Sequence, residues 1–247
     1  LTKIQKAFLK CYFDSEDTQA IYEEKIKSKK YNFSRYNFFL ANYFLFKNKK
    51  ENALRVIKNS RKKNKSNLLL EETQSFLKKG ENKKIKNFFN CKNPNEPLAE
   101  FFYVIANLYS SEEDYISSNF YFKISEFLNP RFLPNKALLA ENYYYQQKYK
   151  LSKIQYENLK LIGSVYSWYA SKSISKILLE EKGKKYSINN LEKEFNSLSN
   201  PSLKHYFDMA NSYKDNEYYK KSIKYYSLAL KKINPNHFLF PKILYRR

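Results

Sequence analysis

A five-residue motif recurs four times along the chain: an apolar residue, alanine, a polar residue, any residue and an aromatic residue. Its alanines are Ala41, Ala106, Ala140 and Ala210, which are separated by 65, 34 and 70 residues. Self-similarity at a period of about 20–50 residues is typical of stacked repeat units. The spacing predicts units of about 34 residues, with one degenerate unit inside each of the two wide gaps.

Positions downstream of each alanine are also equivalent. Twelve residues later stands a small residue, and four residues after that a large one; the pairs are Ala53 and Ile57, Ser118 and Phe122, Ser152 and Tyr156, Ser222 and Tyr226. Two helices can cross closely only where small side chains let their backbones approach. The pattern therefore predicts antiparallel helical pairs that nest through these small residues.

These small, aromatic and proline positions (Pro130 and Pro235 close two units) resemble the tetratricopeptide repeat, as found in bacterial proteins of that family. The resemblance implies an all-α fold, a right-handed α-solenoid of stacked antiparallel helical hairpins in a single array over residues 1–247. Clear repeats are expected at 34–66, 99–132, 133–165 and 203–236, degenerate repeats at 1–33, 67–98 and 166–202, and the truncated start of another at 238–247.

The periodicity predicts fourteen helices and no sheet, because alternation with a period of two residues is absent. Gly80 and Gly183 stand between helices, where glycine can take the left-handed cap conformation. The helices are expected near 2–13, 16–29, 34–47, 50–63, 67–79, 81–90, 98–111, 114–128, 133–147, 150–162, 166–181, 187–198, 202–214 and 218–233.

The net charge is +22, and 40 of the 46 basic residues are lysine. Clustered cations can bind nucleic acid through its phosphates. The low arginine content favours a second explanation, an AT-rich genome, since arginine binds phosphate bidentately and a selected phosphate-binding surface would retain it. Both interpretations remain open at this point.

The chain offers few residues for chemistry. With three glycines it has no glycine-rich phosphate loop, and neither His205 nor His237 has a second ligand at metal-binding spacing. Cys11 and Cys91 lack a C-x-x-C spacing, so we expect buried free thiols instead of a disulfide or zinc site. We expect no enzyme activity, no cofactor and no metal.

No apolar run approaches the roughly 18–20 residues that cross a bilayer. The chain begins at Leu1 instead of methionine, so we expect a piece of a longer protein. Its compartment, cytoplasmic or periplasmic, stays open.

The polar residue after each motif alanine defines the predicted binding surface. On the first helix of a tetratricopeptide hairpin, this position is expected to face a concave groove. The predicted site comprises Asn42, Asn107, Glu141 and Asn211, joined by Tyr103, Tyr144 and Lys214, with Phe38 on the same face. An amide donates and accepts together, which suits a peptide backbone. Because 27 of 247 residues are asparagine, tolerated surface polarity is the alternative.

The sequence therefore predicts a non-catalytic scaffold that binds a peptide or partner protein on its concave face. Two alternatives are an RNA- or polyanion-binding repeat protein, and the recognition domain of a larger enzyme such as a transferase. Inference of one cellular process from the resemblance would be analogy between folds alone.

Overall fold

The computed structural model describes residues 3–26 and 34–247, and these residues form α-helices joined by short connections. A short 3-10 helix at Leu133–Asn135 precedes α9. The helices are α1 (Lys3–Tyr12), α2 (Thr18–Ile26), α3 (Tyr36–Phe46), α4 (Lys50–Lys63), α5 (Leu68–Lys79), α6 (Asn82–Phe88), α7 (Asn95–Ser111), α8 (Tyr115–Leu128), α9 (Lys136–Tyr145), α10 (Tyr149–Lys160), α11 (Ser164–Lys182), α12 (Lys184–Asn196), α13 (Leu203–Asp215), α14 (Tyr219–Lys231) and α15 (Phe240–Arg246). The prediction of an all-α fold is confirmed.

The chain divides into two compact units, Leu1–Tyr166 and Ser167–Arg247. In the first unit, consecutive helices pair as hairpins, from α1 with α2 to α9 with α10. In the second unit, α13 pairs with α14, and α15 packs on α14. Most of α11 belongs to the second unit, where Asn190 of α12 donates a hydrogen bond to Ser175 of α11 at 3.0 Å.

The motif alanines lie where the paired helices cross. All four have no exposed surface. In three hairpins, the serine twelve residues later donates its hydroxyl to the alanine carbonyl; the bonds are Ser118 to Ala106 at 2.7 Å, Ser152 to Ala140 at 2.8 Å, and Ser222 to Ala210 at 2.9 Å. Close crossing through small residues is thus confirmed, and the serine hydroxyl adds a hydrogen bond to it.

The turn inside each hairpin repeats as well. Seven residues after the alanine, the backbone is left-handed; these residues are Asn48, Glu113, Gln147 and Glu217, with φ between 58° and 66°. The next N–H bonds back to the carbonyl five residues earlier, as from Lys49 to Phe44 at 2.8 Å. This 6→1 bond is the Schellman cap of a helix C-terminus.

The same turn reveals units that lack the motif. Asp14 is left-handed with φ 55°, and it follows the fully buried Ala7 by seven residues. Gly80, with φ 75°, follows the buried Thr73 at the same distance. Ala7 and Thr73 lie 34 and 32 residues from Ala41, so they occupy the alanine position of their hairpins.

The two glycines predicted as caps differ. Gly80 has ψ 10° and is a left-handed helix cap, as predicted. Gly183 has φ 86° and ψ 178°, a conformation outside the left-handed helical region. It begins α12 without capping α11 in the predicted way.

The prediction of free thiols is wrong. Cys11 and Cys91 form a disulfide with their Cα atoms 5.9 Å apart. The bond ties the end of α1 to the segment after α6, where Phe89 packs on Phe8 with ring centroids 5.1 Å apart. Sequence spacing could not reveal this pair, because its 80-residue separation becomes a contact only through stacking of the hairpins.

Candidate functional site

Two neighbouring helices of the first unit carry four of the predicted site residues. Tyr103 and Asn107 lie on α7, and Glu141 and Tyr144 lie on α9. Burial raises the pKa of Tyr103, the Arg35 charge lowers it, and the charges of Glu100 and Glu141 raise it further. The helices α7 and α9 are in contact, and the charge of Glu141 is close enough to Tyr103 to affect its pKa. We call these four residues the α7–α9 face.

Access differs across the α7–α9 face. Asn107 is exposed, whereas Tyr103, Glu141 and Tyr144 are half-buried. An exposed amide beside a carboxylate and a phenol can donate and accept hydrogen bonds on one surface. This arrangement suits a polar peptide segment.

The other two members of the predicted amide ladder bond within the chain. Asn42 is buried, and its Nδ2 donates to the Ile85 carbonyl of α6 at 3.0 Å. The Asn211 Oδ1 accepts from the Tyr226 hydroxyl at 2.7 Å and from Arg246 Nη1 at 2.6 Å. The sequence predicted these amides at equivalent positions, but their environments are not equivalent.

The two remaining candidates, Phe38 and Lys214, also interact with other residues of the chain. Phe38 is fully buried, so it is a core residue. Lys214 in the second unit is half-buried, with its Nζ 3.7 Å from the neighbouring Asp215 carboxylate. Lys214 stays a predicted contact residue.

A buried polar cluster adjoins the α7–α9 face. Arg35 donates from Nε to Glu100 Oε1 at 2.9 Å and from Nη2 to Glu100 Oε2 at 2.5 Å and Asn135 Oδ1 at 2.9 Å. Its guanidinium also lies 4.0 Å from the ring centre of Tyr103. Burial alone would lower the pKa of Arg35, but the Glu100 carboxylate holds that pKa above its ordinary value. Arg35 thereby stays charged, and its guanidinium packs against one face of the Tyr103 ring.

The sequence contained one signal for this cluster. Arg35 and Glu100 each stand six residues before a motif alanine, so their charges occupy the same register. Packing of the hairpins brings the two positions together across 65 residues of sequence. The equivalent positions of Arg35 and Glu100 in their hairpins indicated a shared helix face, but they did not indicate that the two side chains form an ion pair.

A second polar network joins α9 to the preceding hairpin. Asn142 is fully buried. Its Nδ2 donates to Ser118 Oγ at 2.7 Å and Asn119 Oδ1 at 2.9 Å, and its Oδ1 accepts from Ser110 Oγ at 2.7 Å. Buried polar groups need hydrogen-bond partners, and a network in which each group has its partner favours one packing arrangement of the helices. The network sets the position of α9, and with it the α7–α9 face.

The described part of the chain contains neither a candidate metal site nor a candidate membrane span. Within residues 3–26 and 34–247, no three His, Cys, Asp or Glu side chains group so as to hold a metal ion. Among the same residues, no helix combines the length and apolar character needed to cross a bilayer.

The hairpins share a spacing of 32–34 residues where Ala7, Ala41 and Thr73 occupy equivalent positions. They also share a left-handed turn and, in three cases, a serine hydroxyl bonded to the alanine carbonyl. In these respects the hairpins resemble those of tetratricopeptide repeats. Asn107 and Glu141 each follow the alanine of such a hairpin, on α7 and on α9 respectively.

No protein-family model matches the chain, and no curated protein matches it in sequence. Among solved structures, it is similar to a tetratricopeptide repeat protein from Parabacteroides merdae, at 14% identity and a TM-score of 0.41, over 99% of this chain and 96% of that one. It is also similar to a chain of the APC/C hetero-tetramer Cut9–Hcn1, at 14% identity and a TM-score of 0.43. That match covers 96% of this chain and 47% of the other, so this chain spans about half of its length. The resemblance to tetratricopeptide hairpins rests on the geometry of the hairpins themselves.

Proposed function

We propose that the chain is a protein-interaction scaffold and that the α7–α9 face binds a segment of a partner protein. The observation that carries the proposal is that Asn107 is exposed on α7 while Glu141 and Tyr144 lie on the contacting helix α9, whose position the Asn142 network fixes. Rigid helical repeats bind along a surface that already exists, which limits the ordering cost of association.

The distribution of charge supports a protein partner over a polyanion. Among the residues one and four positions after the motif alanines, Lys214 is the one cation. Exposed cations lie on first and second helices alike; examples are Lys78 on α5 and Lys176 on α11, and Lys62 on α4 and Lys224 on α14. A phosphate-binding surface would collect cations along one face.

The test is affinity capture followed by a binding measurement. The chain is used as bait in an extract of the cells that produce it, and the captured protein is purified and titrated against wild-type and variant chains. Asn107→Ala combined with Tyr144→Ala should weaken binding by roughly tenfold or more, because aromatic contacts dominate interface energetics.

The matched control is Asn59→Ala, which deletes an exposed amide from α4 in the same unit. It should bind as the wild type does. Equal affinities for all three chains would remove the α7–α9 face as the binding site. Capture of nucleic acid in place of protein would favour the polyanion alternative.

A further inference from the structure

The second unit ends in a local concentration of positive charge. Residues 218–247 contain eight lysines and arginines and no aspartate or glutamate. The whole chain carries 24 acidic and 46 basic residues, so several carboxylates would be expected in a segment of this length. All of these cations except Arg246 are exposed. The excess of charge therefore belongs to this segment itself and not only to the chain as a whole.

Three of these cations form a row along α14. Lys220, Lys224 and Lys231 follow Ala210 by ten, fourteen and twenty-one residues, and residues at i, i+4 and i+11 share one face of a helix. The row extends over about 16 Å, because a helix rises about 1.5 Å per residue. Ile223, 46% exposed, lies beside it. We call Lys220, Lys224 and Lys231 the α14 lysine row.

The positions of the α14 lysine row face outward in all four motif hairpins. Ten, fourteen and twenty-one residues after the other three alanines, the side chains are also exposed; they are Glu51, Arg55 and Lys62, then Ile116, Phe120 and Phe127, then Lys150, Ile154 and Leu161. The hairpins of α4 and α8 are each followed by another hairpin, so stacking leaves these positions uncovered. Among the four hairpins, α14 alone carries a cation at all three positions.

The charges of the α14 lysine row are not neutralised within residues 3–26 and 34–247, where none of the three lysines has a carboxylate partner. Their neighbour Lys221 differs, since its Nζ lies 2.8 Å from the Glu192 carboxylate of α12. Like charges four residues apart on a helix repel each other. A bound anion would relieve that repulsion, so the row is suited to a negatively charged partner.

We propose that the α14 lysine row is a docking surface for a short acidic segment of another protein. Interfaces bring surfaces of opposite charge together, which speeds association and selects the partner. Toward α12 the row ends at Lys221, which is already paired with Glu192. On that side it lacks the continuous positive groove that follows a nucleic-acid backbone.

A second copy of the chain matches the row poorly. Its longest acidic run is Glu112, Glu113 and Asp114, which lies in the turn before α8, where Glu113 is left-handed with φ 61°. The Asp114 carboxylate already accepts from the Ser117 N–H at 3.0 Å. Consecutive Cα atoms are about 3.8 Å apart, so this run covers about half the length of the row.

The first experiment identifies the partner. A photo-crosslinking amino acid replaces Ile223 in the full chain, which leaves the three lysines in place, and the cells that produce the chain are irradiated. An adduct should form, and mass spectrometry should map it to one segment of a different protein. Acidic residues should outnumber basic ones in that segment.

The second experiment measures the contribution of the row. A synthetic peptide of the mapped segment is titrated against the purified full chain. The triple variant Lys220→Glu, Lys224→Glu and Lys231→Glu should bind it at least tenfold more weakly, because each attraction becomes a repulsion. Circular dichroism should stay unchanged, since all three side chains are exposed.

The matched control reverses three exposed cations on the second helix of another hairpin. Arg55→Glu, Lys58→Glu and Lys62→Glu on α4 change the net charge by the same amount. This variant should bind the peptide nearly as wild type does. The α14 lysine row lies in the second unit and the α7–α9 face in the first, so either proposal can fail without the other.

Several outcomes would overturn the proposal. Equal losses of affinity in the two triple variants would show attraction to net charge alone, and no loss in the α14 variant would exclude the row. The absence of an adduct at position 223 would likewise contradict it. An adduct with nucleic acid, with lipid or with a second copy of the chain would assign the row to that partner instead.

Discussion

The guanidinium of Arg35 and the carboxylate of Glu100 form a two-point ion pair across 65 residues of sequence. Glu100 is 3% exposed at its side chain and Arg35 22%, so the pair is largely shielded from water. It joins the start of α3 to α7 and thereby connects hairpins that are not neighbours in sequence. An open stack, in which each repeat touches only the next, would lack such a contact.

Loss of one partner of this pair should destabilise the first unit strongly. Arg35→Ala leaves the Glu100 carboxylate buried without its counter-ion, which costs about 3–5 kcal/mol. Glu100→Gln removes the charge and should cost less. Urea unfolding measures both, and Lys84→Ala, which removes an exposed ion pair with Glu81, should leave stability unchanged. Equal small effects in all three variants would show that the pair contributes little.

The Asn142 network predicts a second large effect. Asn142→Leu removes the amide partner of the half-buried Ser110 and Asn119, and loss of a partner costs up to about 1–3 kcal/mol for each polar group that water cannot reach. The melting temperature should therefore fall by several degrees. Asn107→Leu changes the same residue type at an exposed position of α7 and is expected to be neutral. Similar melting temperatures for the two variants would refute the role of Asn142 in joining the hairpins.

Glu72 predicts an unusual dependence of stability on pH. Its Oε2 accepts from the N–H groups of Val165 at 2.8 Å and Tyr166 at 3.1 Å, while its buried Oε1 has no partner. Burial raises the pKa of Glu72 above 4.5, although the two backbone hydrogen bonds lower it in part. The folded chain then holds this proton more tightly than the unfolded chain does.

The sign follows from that difference in proton binding. The contribution of Glu72 is most favourable below its unfolded pKa and declines as pH rises through its folded pKa. Glu72→Gln lacks the charge, so it should be more stable than wild type at pH 7 and lose that advantage near pH 4. Denaturant unfolding at both pH values measures it, with the exposed Glu112→Gln as control. An advantage that grows toward acid would contradict the assignment.

The Cys11–Cys91 disulfide should contribute about 2–4 kcal/mol, since it closes a long loop in the unfolded chain. Replacement of both cysteines by serine should lower the melting temperature by about the amount that reductant lowers it in the wild type. Reductant should not change the double variant. Alkylation of the oxidised protein that labels both cysteines would show that the bond is absent. Structural disulfides persist mainly in oxidising compartments.

The sequence predicted much of the fold because its constraint is local. Ala41, Ala106, Ala140 and Ala210 must be small wherever two helices cross, and the structure buries all four completely. The alanine position filled by Thr73 escaped prediction, since threonine does not match the motif although it is small enough to fit. The continuous array over residues 1–247 stays a prediction.

The candidate site was harder to predict, because it depends on contacts between distant hairpins. Asn42 and Asn107 occupy the same register, yet one bonds to α6 and the other is exposed. That difference arises from the path of α6 and the segment after it, which no local pattern encodes. The roles of Asn107, Glu141 and Tyr144 in binding remain predictions.

The disulfide also makes part of the backbone a covalent ring, because Cys11 and Cys91 are joined across 80 residues. A protease that cuts once between them releases no fragment, and the two pieces separate only when the sulfur bridge is opened. On a gel, the nicked chain would run as one band without thiol and as two bands with it. Damage to the loops within the ring can thus leave α1 fastened to the segment that leads into α7.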